Sequence, residues 1–307
     1  MLNLSKEEII ELTAPSGGRF ACRDKAAAYA FCEKLTKSHY ENFPVGSALL
    51  PKDKRRHFYP IYIFSRAADD IADEFTETPA EERIGLLESM AGLIRAPDSN
   101  RSNPLFIALN LTRQELDIPA EPFLKLLKAF KMDVEFRQPI NKDDLNYYCA
   151  HSANPVGELV LRIFGRYNEE SSEYSDDICT GLQLVNFWQD ISVDVHKGRC
   201  YIPKDVLKMH GLDGTNYLNS DKRIELAGCL SFLYDYTEIF FKNGSKLINY
   251  LNSKRLKAEI ALTIEGGRLI LQKLKKMGPE VAGKRPKLTK ADAAVLLLRT
   301  FIRHKVI

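Results

Sequence analysis

Two acidic segments of this 307-residue chain carry the residue types that bind divalent cations. The first runs Asp69-Asp-Ile-Ala-Asp73, and the second runs Asn186-Phe-Trp-Gln-Asp190-Ile-Ser-Val-Asp194. In each segment two aspartates lie four residues apart, which places both carboxylates on one face of a helix, one turn apart. Like charges at this spacing repel each other, whereas Mg²⁺ binds carboxylates together with the oxygens of a phosphate. We therefore expect the two faces to hold one polyphosphate substrate through Mg²⁺.

Neighbouring residues extend the first acidic pair into a stripe. Tyr62, Arg66, Asp69 and Asp73 follow one another at helical spacing. Arg66 is either a structural ion-pair partner of the carboxylates or a phosphate-binding residue that acts once a metal neutralises them. Taken alone, this segment also fits a solvent-exposed acidic helix face.

The second segment makes the solvent-exposed alternative less favourable. Gln183, Asn186, Asp190 and Asp194 form another stripe of oxygen ligands, and most residues around them are apolar. Buried carboxylates are costly unless they are paired or bind a metal. Two or three Mg²⁺ ions would roughly balance the combined charge of four aspartates and a diphosphate. Such ions stabilise a leaving diphosphate as Lewis acids, which allows ionisation to a carbocation.

A carbocation requires a dry pocket with aromatic walls. Taken singly, an aromatic residue is more often part of an ordinary core than a cation stabiliser. The candidates for the pocket are Phe43, Tyr62, Tyr148, Phe187, Trp188 and Tyr201.

Composition excludes several other classes of protein. A formal net charge of +3 is too small to indicate nucleic-acid binding, and 45% apolar residues are typical of a globular domain. The six cysteines are scattered, without a C-x-x-C pair, as in cytosolic proteins with reduced thiols. We find no secretory signal and no apolar run long enough to span a bilayer, so we expect a cytoplasmic protein.

The C-terminal part, residues 268–305, is rich in lysine and arginine. We favour a solvated helix face as the interpretation of this basic stretch. Peripheral contact with an anionic membrane, or with a substrate phosphate, stays open as an alternative.

Helical periodicity runs through the chain and strand alternation is nearly absent, which predicts an all-α fold. We expect a flexible N-terminal arm over residues 1–22 and one domain over residues 23–307, with helices packed around a central cavity. Proline- and glycine-containing breaks separate the predicted helices. These helices cover residues 24–37, 53–75, 80–95, 103–116, 120–137, 143–165, 171–196, 203–210, 220–251, 255–277 and 289–304.

From about residue 37 to residue 287 the chain resembles the head-to-head prenyl synthases, the family of squalene, dehydrosqualene and phytoene synthases. The resemblance implies a single-domain isoprenoid-synthase bundle whose central cavity binds prenyl diphosphates through Mg²⁺. It rests on the two acidic helices and on Leu49-Leu-Pro51, Tyr62, Tyr148-Cys149, Val156-Gly157 and Gly198-Arg-Cys-Tyr-Ile-Pro203.

Within this family the chain is most similar to the bacterial hopanoid-pathway branch that converts presqualene diphosphate to hydroxysqualene. Gln189 stands where relatives that make presqualene diphosphate or phytoene typically have arginine, and Asn154-Pro155 interrupts a common Ala-Gly-Thr-Val-Gly stretch. Both departures disfavour phytoene-type synthesis. The similar stretches are residues 39–45, 152–157 and 186–190.

The resemblance also implies roles for individual residues. Asp69 and Asp73 would hold Mg²⁺ on one wall of the cavity, and Asn186, Asp190 and Asp194 would hold it on the other. The four aspartates and Tyr201 would be catalytic. The diphosphate would be bound by His39, Tyr40, Arg66, Arg199 and Arg285, and the reacting end of the cavity would be lined by Tyr62, Tyr148, Gln183 and Tyr201.

The expected reaction is Mg²⁺-dependent conversion of presqualene diphosphate to hydroxysqualene with release of diphosphate, in squalene and hopanoid biosynthesis. The chain has no nicotinamide-binding fingerprint, so water rather than hydride is expected to end the reaction and no NADPH is expected. The implied partners are a presqualene diphosphate synthase and a hydroxysqualene reductase. The alternatives are condensation of farnesyl diphosphate to presqualene diphosphate, squalene or dehydrosqualene, and a non-catalytic lipid-binding relative.

Overall fold

A computed structural model describes residues 2–39, 51–97 and 102–304 of the chain. Throughout these ranges the regular secondary structure is helical and no strand occurs, which confirms the predicted all-α class. The chain divides into two compact units, Met1–Phe136 with Glu158–Tyr167 and Arg137–Gly157 with Asn168–Ile307. Whether residues 23–307 act as one domain, as predicted from sequence, is not decided by this division and stays a prediction.

The first unit contains six complete α-helices in the described ranges, and α8 begins in the second unit and ends in the first. Each predicted helix of this part has a counterpart in the structure, although the predicted helix over residues 143–165 is divided into Lys142–Ser152 and Asn154–Ile163. The helices are α1 (Lys6–Thr13), α2 (Lys25–His39), α3 (Lys52–Asp73), α4 (Ala80–Arg95), α5 (Pro104–Glu115), α6 (Glu121–Val134) and α8 (Asn154–Ile163).

The core of the first unit fixes the rotation of α3 about its axis. Phe64 lies at the centre, in edge-to-face contact with Phe106 and Phe123 at ring distances of 6.3 and 5.4 Å. Because the buried positions of α3 recur at helical spacing, the remaining stripe of this helix is left partly exposed. The fully buried residues of the helix are Ile63, Phe64, Ala67, Ala68, Asp70 and Ile71.

The segment predicted as a flexible arm, residues 1–22, contains α1, whose apolar side is buried. Leu2, Ile9 and Leu12 are at most 2% exposed. The Asn103 side chain donates hydrogen bonds to the carbonyl oxygens of Leu12 (2.8 Å) and Ala14 (2.6 Å). The predicted mobility stays a prediction, and this buried face argues against it because exposing it would cost hydrophobic free energy.

The second unit is built around α9 and α12, which pack closely against each other. Gly244 permits this approach, because a Cβ atom there would lie 2.6 Å from the Ile178 side chain. Trp188 is fully buried and its indole N–H donates to Thr237 Oγ1 at 2.9 Å. The helices are α7 (Lys142–Ser152), α9 (Glu169–Gln189), α10 (Ile191–Asp194), α11 (Lys204–Met209), α12 (Arg223–Gly244), α13 (Leu247–Tyr250), α14 (Lys254–Met277) and α15 (Lys290–His304).

In the described part of the chain, every helix is too short or too polar to cross a lipid bilayer.

Candidate functional site

The acidic stripe of α3 is organised by Arg66. Its guanidinium lies 2.6 Å from Asp69 Oδ2 and 3.1 Å from Asp70 Oδ1, so one arginine bridges two adjacent carboxylates. Tyr62 lies on the same stripe, with its ring stacked 6.4 Å from that of Phe58. Both Asp69 and Asp73 are half-buried at the end of the helix. The stripe therefore combines a guanidinium with carboxylates that remain accessible.

Asp70 is a residue that the sequence analysis did not single out. It is fully buried, and its Oδ2 accepts a 2.6 Å hydrogen bond from the backbone N–H of Leu2. Together with the Arg66 contact, this bond ties the N-terminal segment to the acidic helix. The position of Asp70 four residues after Arg66 could have indicated this ion pair from sequence, because oppositely charged residues at that spacing meet on a helix.

The ionised form of the Asp69 carboxylate is electrostatically unfavourable even beside Arg66. Burial, together with the negative charges of Asp73 and Asp70, raises its pKa to about 6, although Arg66 acts to lower it. An additional positive charge near this carboxylate would stabilise its ionised form. This is the electrostatic condition that favours binding of a divalent cation.

The second acidic stripe runs from α9 into α10 through a slight irregularity at Asp190. Hydrogen bonds from the N–H of Asp190 to the Asn186 carbonyl (2.9 Å) and from the N–H of Asp194 to the Asp190 carbonyl (2.8 Å) keep the helical repeat. The predicted helix over residues 171–196 is thus divided, but Asn186, Asp190 and Asp194 keep their spacing. Asn186 is exposed, and both aspartates are half-buried.

The turn at residues 284–286 docks onto the end of α9. Arg285 forms a two-point ion pair with Asp190, and the Gln189 amide donates to the Pro286 carbonyl at 2.7 Å. Asp190 is therefore paired with an arginine in this structure, as Asp69 is with Arg66. The Arg66 ion pair is one of the two roles expected for that residue from sequence. The pairing of Arg285 with Asp190 was not predicted, because the two residues lie 95 positions apart in sequence.

Aromatic rings stand beside the second acidic stripe. Phe187 and Tyr201 stack at 3.9 Å with an interplanar angle of 14°, and Tyr148 lies 5.6 Å from Phe187. Phe187 and Tyr201 also line a small pocket that includes Asp194 and Arg199. Three predicted lining rings thus come together near carboxylate and guanidinium groups, while Trp188 belongs to the core.

The remaining predicted site residues either make no described contact with the acidic stripes or lie outside the described residues. Gln183 is half-buried on α9. Tyr40 and Phe43 lie outside the described residues, as does the side chain of His39, the last residue of α2. Asp69 and Asp73 belong to the first unit and the other predicted metal ligands to the second, so their joint action on one diphosphate stays a prediction.

The acidic residues suit a Mg²⁺ site that substrate and water would complete. In the described ranges, no three His, Cys, Asp or Glu side chains converge as a ready-made metal site. Mg²⁺ commonly takes one or two protein carboxylates and completes its shell with water and substrate phosphate oxygens. The half-buried aspartates and the raised pKa of Asp69 fit that second kind of site.

Comparison with known proteins gives consistent matches. The sequence model of the squalene/phytoene synthase family matches residues 36–292. The hydroxysqualene synthase of Sinorhizobium fredii is 30% identical over 240 residues, which cover 78% of this chain and 81% of the relative. The phytoene synthase of Mycobacterium tuberculosis is 30% identical over 231 residues, which cover 74% and 75% respectively.

Solved structures agree with these sequence matches. The squalene synthase HpnC from Alicyclobacillus acidocaldarius has a TM-score of 0.76 and 34% identity, and the match covers 83% of this chain and 95% of that one. A dehydrosqualene synthase has the same TM-score at 20% identity, which supports the fold alone. The chain thus shares the fold of squalene synthase-type isoprenoid synthases.

Proposed function

Because the chain belongs to the squalene/phytoene synthase family of prenyltransferase-type isoprenoid synthases, we propose that it converts presqualene diphosphate to hydroxysqualene. The C–O bond breaks and its electron pair leaves with diphosphate. The resulting cyclopropylcarbinyl cation rearranges to an allylic cation, which water captures with loss of a proton. This reaction would follow a presqualene diphosphate synthase and precede a hydroxysqualene reductase in squalene and hopanoid biosynthesis.

The choice of hydroxysqualene as the product rests on Gln189. Relatives with a different product differ from this chain to a similar degree, since a phytoene synthase and a hydroxysqualene synthase are both 30% identical to it. The neutral Gln189 amide holds the turn that brings Arg285 to Asp190. An arginine at this position would place a second positive charge beside Arg285. A neutral residue 189 therefore suits the Arg285–Asp190 pair and supports the proposed step.

The second departure from the phytoene-type pattern, Asn154-Pro155, also makes a defined contact in the structure. The Asn154 side chain lies 3.0 Å from Thr180 Oγ1, which connects the start of α8 to α9. The Asn154-Pro155 pair thus has a structural partner on the helix that carries the second acidic stripe.

The acidic residues are proposed to hold the metal ions that accompany the diphosphate. Asp69 and Asp73 would act on one side, and Asn186, Asp190 and Asp194 on the other. Bound Mg²⁺ supplies Lewis-acid stabilisation of the leaving diphosphate. Arg66 and Arg285, which pair with the acids in this structure, would then be released to bind phosphate oxygens.

The aromatic residues have a separate role in this proposal. The stacked rings of Phe187 and Tyr201 line the small pocket, with Tyr148 beside them, and would exclude water from that side of it. Such faces attract a cation electrostatically. They would favour the rearranged allylic cation until water reaches it.

Product analysis tests the proposed reaction. The purified protein is incubated with presqualene diphosphate and Mg²⁺, with and without NADPH, and the C30 product is identified. We expect hydroxysqualene in both cases. Squalene that forms only when NADPH is present would contradict the proposal. Incubation with farnesyl diphosphate alone separates the condensation alternatives, because turnover of that substrate would show a head-to-head synthase.

A further inference from the structure

The C-terminal helix α15 has its polar side packed and its apolar side exposed, opposite to an ordinary surface helix. Between residues 291 and 302 every exposed residue is apolar, and the three polar residues are half-buried or buried. Leu298, Phe301 and Ile302 expose 60%, 55% and 62% of their surface. The exposed set, which we name the α15 apolar face, consists of Ala291, Ala293, Ala294, Val295, Leu297, Leu298, Phe301 and Ile302.

Specific polar contacts with α14 hold α15 in this orientation. Lys273 pairs with Asp292 at 2.5 Å, and Arg299 donates to the Gln272 side chain at 2.7 Å. At the far end Arg303 lies 3.2 Å from the buried carboxylate of Glu265. Turning the helix to bury its apolar face would break all three contacts. The exposure of this face is therefore a consequence of the packing.

Basic residues accompany the α15 apolar face, with exposed lysines at its N-terminal end. Residues 284–305 contain seven lysines and arginines and a single acidic residue, Asp292, which already pairs with Lys273. Lys284, Lys287 and Lys290 are exposed just before and at the start of the helix. An apolar helix face accompanied by basic residues is typical of helices that lie in the interface of an anionic bilayer.

We propose that the α15 apolar face and the basic residues beside it bind the surface of an anionic lipid bilayer. Single exposed apolar side chains are ordinary on protein surfaces, but a continuous face of this kind marks an interaction site. A second copy of the chain would bring two sets of like charges together, whereas phospholipid headgroups would neutralise them. Lipid is therefore the favoured occupant. This proposal is independent of which product the enzyme forms.

Vesicle flotation tests the proposal with the full-length protein. Vesicles of phosphatidylcholine alone are compared with vesicles that also contain phosphatidylserine. We expect the protein to float with the anionic vesicles. The variant Leu298→Glu/Ile302→Glu should bind at least ~10-fold more weakly, because each large apolar side chain contributes on the order of a tenfold gain when buried. Ile224→Glu, at an 87% exposed isoleucine of α12, is the matched control and should float like the original protein.

Charge and insertion are measured by two further variants. Lys284→Gln/Lys287→Gln/Lys290→Gln should weaken binding to the anionic vesicles and reduce its sensitivity to salt. Phe301→Trp adds a reporter to a chain whose one tryptophan, Trp188, is fully buried. Its added fluorescence should shift to shorter wavelength on vesicle binding and be quenched by brominated lipid.

Two results would overturn the proposal. One is that the original protein stays unbound with both kinds of vesicle while the Phe301→Trp emission is unchanged by lipid. The other is a concentration-dependent dimer in sedimentation that Leu298→Glu/Ile302→Glu abolishes, without flotation of the original protein. That second result would assign the face to a second copy of the chain.

Discussion

At the scale of single residues, each acidic stripe is paired with its own arginine. Arg66 bridges Asp69 and Asp70, and Arg285 binds Asp190. A carboxylate that is partly withdrawn from water is less costly with such a partner. Under the proposed function, the arginines would become available to a diphosphate once metal takes their place.

Removing one carboxylate from either stripe should impair the reaction. For Asp69→Asn and for Asp190→Asn we expect kcat on presqualene diphosphate to fall at least ~10²-fold, because leaving-group stabilisation is lost. Asp235→Asn is the control, since Asp235 is largely exposed and pairs only with Lys275 in the contacts described. Unchanged turnover in Asp69→Asn/Asp190→Asn would show that the acidic stripes are not catalytic, and absence of turnover in the original protein would support the non-catalytic lipid-binding alternative.

The raised pKa of Asp69 predicts a pH-dependent requirement for metal. Its carboxyl group has a pKa of about 6, so it is protonated below that pH and ionised above it. A protonated carboxyl group is a poor Mg²⁺ ligand, and protons and metal therefore compete. We expect the Mg²⁺ concentration for half-maximal activity to increase as the pH falls through about 6. A metal requirement that is constant across this range would show that Asp69 does not bind the ion.

At the scale of elements, α15 is held against α14 by a polar cluster around the buried Glu265 of α14. Glu265 is fully buried and contacts Arg268 (3.1 Å), Arg303 (3.2 Å) and His304 (3.1 Å). Burial acts to raise the pKa of Glu265, but the His304 hydrogen bond and the charges of Arg303 and Arg268 outweigh it and lower the pKa to about 2. The cluster thus replaces the apolar contact that usually docks a helix.

Breaking this cluster should destabilise the protein markedly. We expect Glu265→Ala to reduce the free energy of unfolding by about 3 kcal/mol in urea titrations, because the largely buried Arg268 and the end of α15 lose this carboxylate partner. Glu280→Ala, which removes an exposed ion pair with Arg223, should cost less than about 1 kcal/mol.

The stabilisation that Glu265 provides should decrease as the pH falls. Since the folded-state pKa is depressed, the stabilisation by Glu265 is complete above the unfolded value of about 4.3 and declines as pH falls towards about 2. In Glu265→Ala this part of the acid-induced loss should be absent. Equal acid sensitivity in both proteins would contradict the proposed role.

The N-terminal segment is the second element whose packing can be tested. Leu12 is fully buried on α1, so Leu12→Ala should reduce the free energy of unfolding by about 3 kcal/mol through the cavity it leaves. Ile224→Ala, at an exposed site, is the control. A change in Leu12→Ala no larger than in the control would mean that residues 1–22 behave as the flexible arm expected from sequence.

At the scale of the whole molecule, the proposed reaction requires two acidic stripes from separate units of the chain. If both stripes serve the same diphosphate, the decreases in kcat caused by substitutions in the two stripes should not be independent. We expect the combined variant Asp69→Asn/Asp190→Asn to lose less kcat than the product of the two single losses. Fully multiplicative losses would indicate that the stripes act in separate steps.

Much of the fold was predictable because helical periodicity is local. The repeat of apolar residues placed α3, α9 and α14 and predicted which side chains share a stripe. The break at Asp190 was not predicted, since helix ends depend on contacts such as the turn that docks there. The buried side of α1 was also missed, because its Asn103 partner comes from a distant part of the chain.

The sequence by itself determined the all-α class and the spacing of the carboxylates, because both follow from a helical repeat of neighbouring residues. It also carried the resemblance that the family match confirms. Only the tertiary structure decided which arginine pairs with Asp190 and which side of α15 meets solvent. An amphipathic pattern defines two sides but not which one packs, and partners such as Glu265 and Arg303 meet only when distant segments come together.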